Sequence, residues 1–200
     1  KFDLRGNALE QGIARYSDAS LTNIIETQNI ISSYDFHDRA THSSITTRNS
    51  KGEFVDRQEI EYVEYDIYGN TIDQTITRFD SLDTAIDFKV IHNTYDNLVA
   101  ARRGNATHST ITRYSGDSLD PLNLIDRQEI SNLSFDSIGN IVDQRIDLFV
   151  GDRLSRQTLI HNSDISNRGD AKIQQITTYT TDDTGALIPL EASYQVIDNR

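Results

Sequence analysis

One twelve-residue pattern occurs three times in the sequence. It reads FDLRGNALEQGI at 2–13, YDIYGNTIDQTI at 65–76 and FDSIGNIVDQRI at 135–146. Recurrence of this kind is typical of a chain built from tandem copies of one supersecondary unit. Such a unit cannot bury its apolar residues alone, so each copy must pair or pack with its neighbours. The pattern therefore restricts the fold to a repeat architecture.

Two further series of residues give the length of the repeat. An Asp that follows an aromatic or apolar residue recurs at intervals of 28 to 40 residues, so six units of about 32 residues fill the chain. DRQEI occurs at 56–60 and again at 126–130, and units of two types alternate. The larger repeat is therefore a pair of units, about 65–70 residues long, with approximate copies at 1–65, 66–134 and 135–200. We expect residues 1–200 to form one continuous array that is a segment of a longer protein.

One Ile lies in the same register in every unit, and in four of the six units a Gln precedes it by two residues. We expect these side chains to form ladders between units, with the isoleucines in apolar contact and the amides hydrogen-bonded as in stacked Asn/Gln ladders. The predicted ladder residues are Ile13, Ile45, Ile76, Ile111, Ile146 and Ile176, with Gln11, Gln74, Gln144 and Gln174.

Each unit is predicted to form a β-hairpin. In TIDQTITRF at 71–79 the side chains alternate with the period of two that a strand requires, and Thr and Ile favour strands. The D-x-x-G-N segment predicts a turn, because Gly and Asn accept positive φ and Asp accepts hydrogen bonds from the amides of its own turn. The predicted turn residues are Asp3, Gly6, Asn7, Asp66, Gly69, Asn70, Asp136, Gly139 and Asn140. The predicted fold is all-β, with tandem antiparallel hairpins forming a spiralling sheet or a β-solenoid-like rod.

Composition excludes several classes of function. The formal net charge of -12 argues against a nucleic-acid partner, since phosphate binding needs a basic surface. The chain has no Cys, so disulfides and thiol chemistry are excluded. It also lacks a run of about 18 apolar residues, and we therefore expect that it is not embedded in a membrane.

The Tyr-Asp pairs at 34–35, 65–66 and 95–96, the Phe-Asp pair at 135–136, and the Gly-Asn pairs at 69–70 and 139–140 resemble the motif of YD-repeat, or RHS, proteins. That resemblance implies extracellular β-hairpin strips that wind into long sheets and build shells around toxins or parts of large surface proteins. The sequence departs from the family pattern, because Asn follows Gly where Arg is usual and a later Gly is missing. The segment that ends RHS shells is also not visible.

No catalytic motif is found, and we expect the chain not to be an enzyme. The five His include two pairs at equivalent repeat positions, His42 with His108 and His92 with His161, which indicates a structural role. No cofactor is predicted. The alternatives left open are structural Ca²⁺ held by Asp66, Asp73, Asp136 and Asp143 with turn carbonyls, and a sugar-binding platform formed by Tyr34, Tyr65 and Tyr95.

These observations lead to a structural hypothesis. We expect an extracellular or cell-surface protein that forms a fibre, filament or stalk by self-association or by continuation of the same array. Two alternatives are an adhesin, or carbohydrate-binding module, that recognises surface glycans through loops such as 113–125, and an RHS-like shell that encloses a toxin.

Overall fold

The computed structural model describes residues 1–199, and the side chains of all of these except Glu191 and Ala192. Twelve β-strands account for most of the chain, with one short α-helix and one turn of 3₁₀ helix. The elements in chain order are β1 (Glu10–Tyr16), β2 (Ile24–Tyr34), β3 (Ala40–Asn49), β4 (Phe54–Tyr65), β5 (Thr71–Phe79), β6 (Ala85–Thr94), α1 (Leu98–Ala101), β7 (His108–Ser115), the 3₁₀ turn (Pro121–Asn123), β8 (Leu124–Phe135), β9 (Ile141–Val150), β10 (Arg153–Ile165), β11 (Ala171–Thr181) and β12 (Leu187–Asp198).

The strands follow one another in the sheet in the order in which they occur in the sequence, β1 to β12, without a crossover. Consecutive antiparallel strands need only short connections, which the many turn residues supply. The prediction of an all-β chain of antiparallel hairpins is therefore confirmed. Of the helices in the described chain, none is both long and apolar enough to cross a bilayer.

The chain divides into two compact units that interleave in sequence. The first contains Lys1–Tyr65, Asp73–Val90 and Tyr114–Asn123. The second contains Asp66–Ile72, Ile91–Arg113 and the chain from Leu124 onwards.

In the first unit, β1 to β4 pair in a register that places isoleucines opposite one another. Ile45 of β3 lies opposite Ile30 of β2 and, on its other side, opposite Gln58 of β4. Ile13 of β1 lies opposite Gln28. Because directly opposed residues project from the same face of a sheet, this face carries a mixture of Ile, Gln and Thr.

In the second unit, β8 to β12 repeat this arrangement. Ile146 of β9 lies opposite Ile130 of β8, and Ile176 of β11 lies opposite Ile160 of β10. A register shift between Asn132 and Ser134 marks a β-bulge in β8. Bulges bend a strand and redirect its side chains, and this one contributes a side chain to a groove of the second unit.

Apolar burial is slight in both units. Among the described residues, the buried apolar side chains are only Ala100 and Ala101, whereas the buried polar ones are Ser43, Thr47, Asp87, Asn140 and Asp147. Cross-strand pairs and backbone ladders must therefore provide much of the stability that an apolar core provides in a globular domain.

Candidate functional site

The D-x-x-G-N segment forms a closed five-residue turn. Asp66 Oδ1 accepts hydrogen bonds from the backbone amides of Tyr68 and Asn70, both at 2.8 Å. The amide of Asp66 donates to the carbonyl of Asn70 (2.9 Å), and the amide of Gly69 donates to the carbonyl of Asp66 (3.2 Å). Gly69 has a φ of 85°, which explains why Gly is favoured at the fourth position. One carboxylate thus fixes the backbone of the entire turn.

The same turn occurs at both ends of the hairpins, which the sequence pattern did not reveal. Asn49 Oδ1 accepts from the amides of Lys51 and Glu53, and Asp80 Oδ1 accepts from those of Leu82 and Thr84. A looser pattern, Asp, Asn or Ser followed three residues later by Gly or Asp, would have found these turns. In addition to Asp66, the residues that begin such turns are Asp3, Asp35, Asn49, Asp80, Asp136, Ser166 and Asp182.

The Asn at the fifth position joins its own turn to the next part of the array. Asn70 Nδ2 donates to Asp66 Oδ2 (2.8 Å) within the turn and to the carbonyl of Ala101 (2.7 Å), 31 residues further along the chain. Both protons of this amide are therefore used. The Asn therefore stabilises its own turn and also joins one repeat of about 32 residues to the next.

The other two D-x-x-G-N turns make equivalent bridges. Asn7 Nδ2 donates to Asp3 Oδ2 (3.0 Å) and to Asp38 Oδ1 (2.7 Å) of the following turn. Asn140 Nδ2 donates to Asp136 Oδ2 (2.8 Å) and to the carbonyl of Ser166 (3.3 Å). Asn140 is 2% exposed, so its bridge is the most shielded from water. We call these three Asn contacts the turn bridges.

A second contact between neighbouring repeats involves the Tyr of each Tyr-Asp pair. The hydroxyl of Tyr34 donates to the carbonyl of Ala8, that of Tyr65 to the carbonyl of Ala40, and that of Tyr95 to the carbonyl of Thr71. The accepting carbonyl belongs in each case to the residue just after the preceding turn motif. Each of these hydroxyls therefore joins its strand to the segment that follows the preceding turn.

Asn side chains make the same kind of contact. Asn93 Nδ2 donates to the carbonyl of Thr71 (3.0 Å), which also accepts from the hydroxyl of Tyr95. Phe135 and Ile165 occupy the equivalent positions of two later units. There Asn132 Nδ2 donates to the carbonyl of Ala106 (2.7 Å), and Asn162 Nδ2 donates to that of Ile141 (3.2 Å). These carbonyls are thus capped by two residue types, so a search for Tyr alone misses the contacts made by Asn.

The predicted ladder residues lie on alternate strands. Ile13, Ile45, Ile76, Ile111, Ile146 and Ile176 lie on β1, β3, β5, β7, β9 and β11, so a strand always separates two of them. Strands are about 4.8 Å apart, which places equivalent side chains roughly 9.6 Å apart. None of the six isoleucines is buried, and Ile13 is 48% exposed.

The predicted Gln residues bond to an intervening strand. Gln144 Nε2 donates to Asn132 Oδ1 (2.7 Å), and Gln174 Nε2 donates to Asn162 Oδ1 (2.9 Å). Asn132 and Asn162 are the side chains that donate to the backbone carbonyls of Ala106 and Ile141. Each Gln amide therefore donates to an Asn amide, which in turn donates to a backbone carbonyl. Stacked Gln–Gln contacts are not the interaction made by these two residues. Gln11 and Gln74 lie at the corresponding positions of β1 and β5.

The DRQEI repeat forms a charged cluster with an aromatic neighbour. Arg57 Nε lies 3.1 Å from Glu59 Oε1, and its guanidinium lies 4.6 Å from the ring centre of Phe79. In the second copy Arg127 pairs with Glu129, and its guanidinium lies 4.4 Å from the ring centre of Phe149. Each copy therefore holds an Arg between a carboxylate and an aromatic ring.

The turn carboxylates are poised to remain ionised. Desolvation alone would raise the pKa of Asp35, but hydrogen bonds from the backbone and side chain of Arg39 and from the amide of His37 lower this pKa to about 2. The pKa of Asp66 is also lowered, since the bonds from Asn70 and Tyr68 outweigh desolvation. The ionised form is the one that accepts all of these bonds.

A short helix takes the place of one turn. Asn97 caps α1 by accepting from the amides of Val99 (3.0 Å) and Ala100 (3.1 Å). A Cβ atom placed on Gly139 would lie 2.8 Å from the carbonyl oxygen of Val99 and 3.0 Å from the Cα of Ala100. Gly139 therefore allows α1 and a hairpin turn to approach closely.

The candidate calcium ligands already have protein partners. The carboxylates of Asp66 and Asp136 are occupied by their own turns, and that of Asp143 accepts from Ser134 (2.5 Å) and His161 (2.7 Å). Asp73 also takes part in an interaction. Among the described residues, no three His, Asp or Glu side chains are placed to hold a metal ion.

The histidines bond across strands. His42 Nε2 lies 2.9 Å from Glu59 Oε2, and His108 Nδ1 lies 3.2 Å from Ser131 Oγ. Ser134, Asp143 and His161 come together, but the hydroxyl of Ser134 donates to Asp143 and not to the imidazole. A nucleophilic serine needs its proton directed to a base such as His, so this order does not activate Ser134.

No protein-family model matches the sequence, and no match was found among curated proteins.

Proposed function

We propose that the chain is a segment of a structural, extracellular repeat protein, related in plan to YD-repeat strips, whose hairpins continue into a fibre, filament or stalk. The finer architecture in this proposal is a spiralling sheet or a β-solenoid-like rod built from units of about 32 residues, paired into longer repeats.

The turn bridges are the observation that carries the proposal. Each Asn of a D-x-x-G-N turn uses one amide proton for its own turn and the other for the segment that follows. A bridge of this kind recurs once in each pair of units, at Asn7, Asn70 and Asn140, so it can continue for as long as the larger repeat continues. This is the property that a polymer of identical links requires.

The strand order supports continuation of the array. β12 pairs antiparallel with β11 and has no further strand on its other side among the described residues. A further strand placed beside β12, in the direction of β11, would therefore continue the antiparallel order. An exposed edge strand presents unpaired N–H and C=O groups, which favour such pairing.

The last described residues make contacts that resemble internal ones. Asn199 Nδ2 donates to the carbonyl of Ala171 (3.0 Å), as Asn162 Nδ2 does to the carbonyl of Ile141. The amide of Asn199 donates to Lys172 (2.8 Å). The final strand is thus joined to its neighbour in the way that an internal unit is joined.

Electron microscopy of the native material tests the proposal. We expect uniform fibres whose axial repeat corresponds to one or two hairpins. Closed hollow particles would favour the shell alternative, and separate particles of single-chain size at every concentration would contradict both. Disruption of the fibres by Asn140→Asp, with Asn167→Asp as the exposed control, would link the polymer to the turn bridges.

A further inference from the structure

The second unit contains a groove lined by residues of β8 to β12. It has a volume of about 520 Å³, within the range of small-ligand sites. Leu159, His161 and Gln175 come from the central strands β10 and β11, and Tyr194 comes from β12. Side chains held on paired strands are positioned more rigidly than those on loops, which suits recognition of a ligand.

The groove consists of two rows of directly opposed residues. The first row crosses from Leu159 through Thr177 to Tyr194. It presents an apolar surface, because Tyr194 is 60% exposed and Leu159 is 36% exposed. The two ends of this row are two strand spacings apart, or roughly 9.6 Å.

The second row is polar and runs beside the first. It crosses from Asp143 through His161 to Gln175. His161 and Gln175 each lie two residues along the strand from a member of the apolar row, so the rows are about 6.7 Å apart. An apolar strip and a polar strip therefore lie side by side over the same length.

Ser134 and a bulged residue complete one end of the groove. Asn132 pairs with Gln144 and Ser134 pairs with Asp143, which leaves Leu133 as the extra residue of the bulge. Leu133 lines the groove and is 57% exposed. The bulge thus adds a third apolar side chain beside the polar row.

The hydrogen-bonding groups of the polar row are oriented. Asp143 Oδ1 accepts from His161 Nδ1, and Oδ2 accepts from Ser134 Oγ. The second ring nitrogen of His161, Nε2, is left to make a hydrogen bond with a ligand. Each carboxylate oxygen keeps a further acceptor site, and the Gln175 amide offers both a donor and an acceptor. The row is therefore rich in acceptors for hydroxyl protons.

The charge of the groove selects against anions. Hydrogen bonds from Ser134 and then His161 lower the pKa of Asp143, so its carboxylate is ionised at neutral pH. Its side chain is 43% exposed and that of His161 is 48% exposed, which leaves both accessible. The net charge of -12 adds to the repulsion of a negative ligand.

We propose that this groove binds a neutral oligosaccharide that runs across β9 to β12. A sugar ring has an apolar face of C–H groups and an edge of hydroxyls, which matches one apolar row beside one row of acceptors. The C–H faces of two rings of the chain contact Leu159 and Tyr194, and hydroxyls of the chain bond with Asp143, His161 and Gln175. This inference does not depend on the proposed fibre.

Calorimetric titration of the whole chain with neutral hexasaccharides of glucan, xylan, mannan and galactan type tests the site, with an oligogalacturonate of equal length as the acidic comparison. We expect at least one neutral probe to bind, and to bind at least tenfold more tightly than the acidic one. Tyr194→Ala and Asp143→Asn should each weaken binding at least tenfold. Tyr194→Phe, which keeps the ring, should change it less than twofold.

Matched controls separate the groove from the rest of the surface. Tyr68→Ala and Asp117→Asn remove an exposed ring and an exposed carboxylate elsewhere, and neither should alter binding. If a groove variant melts early, Gln175→Leu at an exposed position provides the second test. Absence of binding to every neutral probe, equal binding of the acidic probe, or binding that the groove variants leave intact would overturn the proposal.

Discussion

The side-chain amide of Asn140 donates to the carboxylate of Asp136 at 2.8 Å, in a site where Asn140 is 2% exposed. The same amide also donates to the carbonyl of Ser166. The amide of Asn140 therefore donates one proton to each of two acceptors, the ionised carboxylate of Asp136 and a backbone carbonyl.

Substitution of this Asn by Asp tests the turn bridge. Asn140→Asp replaces both donors by a carboxylate and places it beside Asp136 in a buried position. We expect it to lower the free energy of unfolding by about 3–5 kcal/mol at pH 7, the cost of an unpaired buried charge. Urea denaturation followed by circular dichroism gives the value. The control Asn167→Asp at an exposed turn position should change stability by less than about 0.5 kcal/mol; equal effects of the two substitutions would contradict the bridge.

Two glycines in equivalent turns form a matched pair. Gly69 and Gly139 have φ of 85° and 89°, but a Cβ on Gly69 would meet nothing within 4 Å, whereas one on Gly139 would collide with the backbone of α1. We expect Gly69→Ala to cost about 1–2 kcal/mol from the left-handed conformation alone. Gly139→Ala should cost a further 1–3 kcal/mol, roughly, from overpacking. Chemical denaturation of both variants measures the difference. An equal loss of unfolding free energy would show that α1 moves away from the added methyl group at no cost.

The hydroxyl of Tyr65 provides a third test. Tyr65→Phe removes the donor to the carbonyl of Ala40 and keeps the ring. We expect a loss of about 0.5–1.5 kcal/mol, the net value of one hydrogen bond. Tyr68→Phe, at an exposed Tyr, is the control and should be nearly neutral. Thermal melts of the two variants would refute the role of the hydroxyl if the control lost as much stability as Tyr65→Phe.

The turn carboxylates predict a decrease in stability in acid. The folded-state pKa of Asp35 is about 2, below the value of about 3.9 for an unfolded Asp. A group with a depressed folded pKa contributes stability above its unfolded pKa and loses this contribution as the pH falls through its folded pKa. Stability should therefore fall between about pH 4 and pH 2. Melting temperatures measured across this range should fall less steeply for Asp35→Asn than for the unmodified chain, while Asp117→Asn should leave the slope unchanged.

The strands and the D-x-x-G-N turns were within reach of the sequence because their determinants are local. Alternation along residues 71–79 matches β5, and the bonds of Asp66 fall within four residues of it. The turns that begin at Asn49 and Asp80 escaped notice because Asn replaces Asp in one and Asp83, with a φ of 63°, replaces Gly in the other. A motif that requires Asp at the first position and Gly at the fourth misses turns in which Asn accepts the same bonds or Asp adopts the same positive φ.

Contacts between neighbouring repeats could not be predicted from the sequence, because they depend on the register in which the strands pair. The acceptors of Asn70 and Asn140 are backbone carbonyls, which have no residue signature. The groove depends on a bulge at Leu133 that sets which residues lie opposite Asp143. Gln144 and Gln174 bond to Asn132 and Asn162 of the intervening strand, because equivalent Gln residues are separated by a whole strand.

The strand order from β1 to β12 has a consequence for how the protein is made. Each strand pairs with the one that precedes it, so no strand has to wait for a distant part of the chain. The edge already formed can act as a template for the next segment, and the loop closed at each step stays short. A chain delivered from one end, as through a narrow export channel, can fold at the pace of its delivery.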